Sequence, residues 1–194
     1  MTAPVNDPRA VIQLAEKIVG ILARKGISTA MIGAAAMAVH GYARSTADLD
    51  LGTVIDPTPA LTRLAAELRE QGLDASYEHP DREDALGGVV RVLSPDGAID
   101  VVNFLNPYRK GIEMLAREAL EKAQPAADGS PLKVVPLAHL IGLKLYAGGS
   151  KAAADVSELL NANPELPVEN LRRFLEPHGL ADALDRVLAL SGHE

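Results

Sequence analysis

Apolar residues near the start of the chain fall into a helical repeat. Val11, Ile12, Ala15, Ile18, Val19 and Leu22 recur at three- and four-residue spacing, which places them on one stripe of a helix. Asp7 followed by Pro8 supplies a helix start, and Gly26 a stop. Thr29 to Ile32 then reads as a buried strand, Gly33 as a turn, and Ala34 to His40 as a short helix ended by Gly41. At this point the period changes from helical to two. Leu49, Leu51 and Thr53 alternate with Asp48, Asp50 and Gly52, so a strand here carries aliphatic side chains on one face and both carboxylates on the other.

Pro57 to Gln71 returns to helical spacing, with Leu61, Leu64, Ala65 and Leu68 on one stripe and Gly72 closing it. A further strand is expected near Asp74 to Tyr77, and the charged segment Pro80 to Ala85 has no apolar period and reads as a loop. Gly88 to Leu93 and Ala98 to Phe104 flank Ser94-Pro95-Asp96-Gly97, whose Asp-Gly pair signals a hairpin and puts Asp100 on an antiparallel strand. Pro107 to Ala123 is expected to be helical, Gln124 to Ser130 a loop, and Leu132 to Val135 a short edge strand. Pro136 to Tyr146, Lys151 to Leu160, Val168 to Leu175 and Leu180 to Leu190 complete a helical set, divided at Gly148-Gly149, Asn163-Pro164 and His178-Gly179. The expected architecture is α+β: a small mixed sheet flanked by helices, with residues 1–135 as a core and 136–194 as a helical C-terminal portion packed on it.

Composition narrows the chemistry. The chain has 194 residues and 47% apolar content, but Phe104, Phe174 and four tyrosines are its aromatics, so aliphatic packing must carry stability. Cysteine is absent, which excludes disulfides, thiolate metal sites and a covalent cysteine mechanism. The segment MTAPVNDPRA has no basic patch leading into an apolar run, and no stretch approaches the roughly 20 apolar residues that span a bilayer. A cytoplasmic protein without a membrane partner is expected. A formal charge of −7 argues against sequence-blind adhesion to nucleic acid, which needs clustered Lys and Arg. Arg109, Lys110, Lys133, Lys144 and Lys151 are the residues from which a local basic groove could be built.

The informative chemistry is acidic. Asp48 and Asp50 project to one face of their strand, where two carboxylates repel unless a cation lies between them, and Mg²⁺ bridging substrate phosphates is the usual partner of such a pair. Taken alone, Asp48-Leu49-Asp50 also describes an ordinary strand with a solvated outer face. Two further features add to it. Asp100 offers a third carboxylate from a separate strand, and Ala34, Ala35 and Ala36 open a helix after Gly33, leaving a helix N-terminus without bulky side chains that a phosphate could approach.

Met31-Ile32-Gly33-Ala34, His40-Gly41, Arg44, Thr46 and Asp48-Leu49-Asp50-Leu51 together resemble the signature of minimal nucleotidyltransferases of the DNA polymerase beta-like superfamily. The resemblance is strongest to the branch of abortive-infection (type IV) toxin-antitoxin nucleotidyltransferases. It implies the polymerase beta-like fold, with Gly33 and Ala34 at the triphosphate and Asp48, Asp50 and Asp100 as catalytic, metal-holding acids. It also implies Mg²⁺ or Mn²⁺ as cofactor, one ion on Asp48 and Asp50 and a second shared with Asp100. An NTP would be the substrate, and a hydroxyl of an RNA, a protein or an aminoglycoside-like small molecule the acceptor, with an antitoxin or toxin as partner. Lys144, then Lys151 and Asp155, resemble a downstream Lys and Lys-x-x-x-Asp feature of the same branch, which points Lys144 and Lys151 at phosphate or acceptor. One departure stands out. The position after the glycine is usually Gly or Ser in that branch and is Ala34 here, so a phosphate-binding hydroxyl is missing and an inactive, partner-binding descendant is the alternative function.

Several residues have a plainer reading beside the functional one. Arg44 either clamps phosphate or pairs with an acid of the protein, and Lys151 and Asp155 are spaced for an intrahelical ion pair. His40 is read as a structural cap, Thr46 as a support for the backbone that aims Asp48, and Asn103 as lying on the strand face away from Asp100. His79, His139, His178 and His193 have no spacing that suggests zinc.

Overall fold

In the computed structural model, residues 7–46, 48–55 and 57–191 are described, and His193 and the first residues of the MTAPVNDPRA segment lie outside them. Helix α1 (Pro8–Arg24) begins on Asp7, whose carboxylate accepts from the Arg9 amide at 2.9 Å, and it buries Ala15, Ile18, Ile21 and Leu22. Strand β1 (Thr29–Ile32) leads directly into helix α2 (Gly33–Val39), and β2 (Asp48–Thr53) follows. Helix α3 (Pro57–Glu70), strands β3 (Asp74–Glu78), β4 (Val89–Ser94) and β5 (Gly97–Asn103), and helix α4 (Glu113–Glu121) come next. Two-residue strands β6 (Gln124–Pro125) and β7 (Lys133–Val134) precede helices α5 (Leu137–Ala147), α6 (Gly149–Ala162), α7 (Val168–Leu175) and α8 (Ala181–Ser191).

The strands form one mixed sheet in the order β3-β4-β5-β2-β1-β7-β6. β2 runs parallel to β5 and antiparallel to β1, β7 runs parallel to β1, and the β3–β4, β4–β5 and β6–β7 pairs are antiparallel. A parallel β2–β5 pair requires a long crossover, and α3, β3 and β4 supply it, returning β5 to the middle of the sheet beside β2. The expected α+β architecture with flanking helices and a helical C-terminal set is the one observed.

Three expectations are corrected. The hairpin loop is Pro95-Asp96, with Ser94 opposite Gly97, so Gly97 opens the strand instead of completing the turn. The helix expected from Pro107 begins only at Glu113, because Asn106 side-chain hydrogen bonds to the Asp81, Asp84 and Leu86 carbonyls and to the Tyr108 amide hold the preceding segment in a turn. The segment from Gln124 is not all loop: Gln124–Pro125 is the sheet edge, which places Lys133–Val134 inside it, between that edge and β1. Both strands are too short for a periodic signal.

One continuous aliphatic core runs from α1 through the sheet to the C-terminal helices, with Phe104, Leu51, Ile99, Leu115, Leu140 and Ile141 among its fully buried members. No helix among the described residues is long and apolar enough to cross a membrane.

Candidate active site

The sheet register assembles the site. Asp50 lies directly opposite Asp100 across the parallel β2–β5 pair, and Ile32 lies opposite Asp50 across β1–β2. Paired residues on neighbouring strands, roughly 4.8 Å apart, send their side chains to the same face, so Asp50 and Asp100 stand side by side. Asp48, two residues earlier, shares that face. Asn103, an odd number of positions from Asp100, accepts at Oδ1 from the Ile55 amide and donates from Nδ2 to the Ile55 and Leu105 carbonyls, outside the site.

Gly33 closes the row on its far side. Its φ of +61° is left-handed, and a Cβ built there would lie 1.9 Å from the Asp50 Oδ2 oxygen. Only a residue without a side chain lets α2 begin this close to the acid. Gly52, next along the same face, admits the Phe104 ring, which a Cβ would meet at 2.6 Å. Beyond it α5 covers this side of the sheet. A cleft of about 190 Å³ opens between them, lined by Gly33, Asp50, Val102, Phe104, Leu140 and Lys144.

Asp50 is under electrostatic strain. Burial first, then the Asp100 charge and more weakly Asp48, push its carboxyl up to about 6 against the opposing pull of Lys144 and Arg44. Asp100 has an intimate partner of its own. Arg91 lies directly opposite it in the β4–β5 ladder, and the guanidinium donates from Nε to Oδ1 at 2.9 Å and from Nη2 to Oδ2 at 2.7 Å. Nη1 also reaches Glu78 Oε1 at 3.4 Å. Both Asp100 oxygens are drawn to Arg91, and among the described residues no three Asp, Glu or His side chains stand arranged as a metal cage. Asp50, against Gly33, and Asp48, two residues earlier, are hard carboxylate donors whose charges repel, the chemistry that suits Mg²⁺ or Mn²⁺. Asp48 and Asp50 therefore fit such an ion, and Asp100 does so only if the Arg91 fork opens.

The remaining sequence candidates fall into two groups. Thr46 donates its hydroxyl to the Asp48 carbonyl at 3.0 Å and accepts from the Asp48 amide at 3.4 Å, fixing the approach to β2. Lys144, on α5, donates to Asp155 Oδ2, and Arg44 Nε lies 3.2 Å from Asp155 Oδ1 without its N–H being aimed at that oxygen. Asp155 is thus a buried hub that collects both cations behind Asp50. Lys151 is exposed near the start of α6, and the Lys151–Asp155 ion pair anticipated from spacing does not form, because Asp155 turns inward to Lys144 and Arg44. Ala34 is buried in the first turn of α2.

The basic residues do not form one groove. Lys133 lines a separate recess with Gly26, Ser28 and Thr29, at the end of β1 away from Gly33. Arg109 lies over the Tyr146 ring at 5.8 Å, and the Tyr146 hydroxyl donates to the Lys110 carbonyl at 3.4 Å, so these two stay close to the α5 end of the cleft. His40 is structural, with Nε2 donating to the Val135 carbonyl at 2.8 Å.

Arg91 was the functional-site neighbour that pattern reading passed over. The signal was present in the hairpin: Ser94 closing on Gly97 counts back to Arg91 opposite Asp100.

Comparison with solved structures bears on the fold. The antibiotic-resistance factor ANT(2'')-Ia in solution superposes with a TM-score of 0.52 at 18% identity, over 96% of this chain and 98% of that one. An antigenic nucleotidyltransferase-like protein from Paracoccidioides brasiliensis gives 0.52 at 15% identity, over 94% and 95% of the two chains. The fold is that of the nucleotidyltransferases. ANT(2'')-Ia in complex with adenylyl-2''-tobramycin gives 0.50 at 16% identity, over 86% and 95%. The sequence matches no protein-family model and no curated protein. Within this fold the Gly33 turn, where β1 passes into α2, lies against Asp50 near the start of β2, and Asp100 beside it is midway along β5.

Proposed function

We propose that this protein is a metal-dependent nucleotidyltransferase that moves a nucleoside monophosphate from an NTP to a hydroxyl of an acceptor. In the reaction the acceptor hydroxyl gives up its proton, for which Asp100 is the candidate base, its oxygen forms a bond to the α-phosphorus, the bond from that phosphorus to the bridging oxygen of the leaving group breaks, and pyrophosphate departs. The single observation that carries the reading is the in-register Asp50–Asp100 pair beside a glycine that must lack a side chain for Asp50 to fit.

Asp48 and Asp50 would hold Mg²⁺ or Mn²⁺. Once bound, the ion supplies charge neutralisation and orientation for the triphosphate. Gly33 and Ala34 present backbone N–H groups to phosphate, Thr46 keeps Asp48 aimed, and Asp100 faces the acceptor as the third acid. Lys144 and Arg44, gathered by Asp155, contribute positive charge behind Asp50, and Lys151 contributes from the rim. In this division of labour residues 1–135 supply the acids and residues 136–194 supply the lysines.

The acceptor belongs to one of three classes: RNA or protein, in keeping with the toxin-antitoxin resemblance and an antitoxin partner, or a small hydroxylated molecule such as the one on ANT(2'')-Ia. Incubating the protein with α-labelled NTPs and Mg²⁺ in the presence of total RNA, protein extract or an aminoglycoside panel separates them. Label should pass to one class and be lost in Asp48→Ala by at least about 100-fold. A second reading, a nucleotidyltransferase fold kept as a non-catalytic binding module, is favoured by Ala34 and by the capture of Asp100 by Arg91. Absence both of label transfer and of calorimetric NTP binding would select that second reading over the first.

A further inference from the structure

We infer that Arg91 stands in the place of a second cation, so that this chain takes one divalent ion, on Asp48 and Asp50, with the Arg91 guanidinium as the fixed positive charge beside Asp100. The inference rests on the metal-dependent reading above and concerns which charges complete its acidic face.

Four residues lie in one row across the sheet: Arg91 on β4, Asp100 on β5, Asp50 on β2 and Ile32 on β1. The positive member of that row is bonded to the acid that would otherwise complete a three-carboxylate cluster. The bond is a bidentate fork, at 2.9 and 2.7 Å, that uses both oxygens of a carboxylate whose side chain is only 9% exposed. Such planar pairing is the strong form of the Arg–carboxylate interaction. Glu78 holds the outer edge of the guanidinium from β3. Two strands and two carboxylates therefore fix Arg91 over the acid face, and its charge also reaches Asp48.

The consequence is electrostatic. A divalent ion approaching Asp100 meets a carboxylate already neutralised and a guanidinium that repels it, whereas among the described residues the Asp48 and Asp50 carboxylates are held in no direct ion pair. A fixed guanidinium also needs no loading from solution and remains when the metal leaves. The plainer role for a directly opposed Arg–Asp pair is stabilisation of the β4–β5 ladder. The two roles differ in what they predict for bound metal.

The test is a count of bound ions that does not depend on turnover. Wild-type protein, Arg91→Met, Arg91→Gln and the double variant Arg91→Met/Asp100→Asn are dialysed to equilibrium against Mn²⁺ and an α,β-methylene NTP. Mn²⁺ retained per chain is read by electron paramagnetic resonance. One ion is expected in wild type, two in Arg91→Met and Arg91→Gln, and one again in the double variant. Arg91→Gln is included because it leaves a polar partner for Asp100 if the methionine variant does not fold. Two ions in wild type, or one ion throughout with only a lower melting temperature in the variants, would overturn the inference and leave the nucleotidyltransferase reading standing. Retention of neither nucleotide nor Mn²⁺ by any of the four would overturn both.

Discussion

At the scale of single residues the site depends on what Gly33 lacks. A helix that starts one residue from a strand bearing an acid partner has no room for a methyl group, and at Gly33 the methyl would occupy the space of the Asp50 carboxylate. Gly33→Ala should therefore cost more than the roughly 1 kcal/mol of a left-handed alanine, because Asp50 must also rotate away. The expected outcome is a folded protein with a lowered melting temperature and at least about tenfold weaker Mn²⁺ binding by calorimetry. Unchanged metal affinity in that variant would show that Asp50 is not held where the Gly33 turn places it. Asn103 and Asn106 show the opposite logic, since their amides are spent entirely on loop carbonyls and amides, and they keep the crossover closed without entering the chemistry.

At the scale of elements, α5 joins the acid face to the C-terminal helices. Its Leu140, Leu143 and Lys144 face the cleft, while His139 is buried against Phe174 with ring centroids 4.7 Å apart. Neither ring nitrogen of His139 has a hydrogen-bond partner, and Glu118 Oε2 on α4 is 3.8 Å from Nε2. Burial first, then the Lys122 charge, lower its pKa to about 4, against the weaker pull of Glu118. The unfolded chain binds this proton near pH 6.5 and the folded chain only near 4, so stability present above pH 6.5 is lost as the pH falls from 6.5 toward 4. At pH 5 the loss is about 2 kcal/mol. His139→Leu should flatten the fall in urea-unfolding free energy between pH 7 and 5 by about that amount. An identical fall in wild type and variant would mean that another group sets the acid limit.

At the scale of the whole molecule the acid cluster acts against folding. Burial and the Asp100 charge hold the Asp50 carboxyl at about 6 in the folded state, against an ordinary 3.8, so the folded state holds its proton more tightly than the unfolded chain. Ionised Asp50 therefore destabilises the metal-free protein in full above pH 6, and the penalty is relieved as the pH falls through 6 toward 4. Asp50→Asn, which mimics the neutral acid, should raise the unfolding free energy at pH 7.5 by about 3 kcal/mol, and most of the gain should be gone at pH 4. Equal stability of the two proteins at pH 7.5 would show that Lys144 and Arg44 already compensate the charge. Between pH 7 and 5 the Asp50 and His139 contributions run in opposite directions, so a nearly flat wild-type profile there would conceal two opposed titrations that the single variants separate.

The same three scales mark how far the chain could be read without coordinates. The helices and the acidic strand were legible because their apolar residues repeat at 3.6 or 2; Gly33, Asp48 and Asp50 stood out as candidates because a short motif carries its own local geometry, and Asp100 because the hairpin signal put it on a strand of its own. The two-residue strands, the turn that delays α4 to Glu113 and the capture of Asp155 by Lys144 and Arg44 were not. They depend on partners up to 111 positions away in sequence, as Arg44 and Asp155 are. By itself, then, the sequence determined which residues could share a strand face and that two carboxylates would repel there, since both follow from backbone period and charge. Only the tertiary structure decided that Asp100 comes to lie beside Asp50 and is held by Arg91, because neighbours across a sheet are set by strand order and register, which local periodicity does not encode.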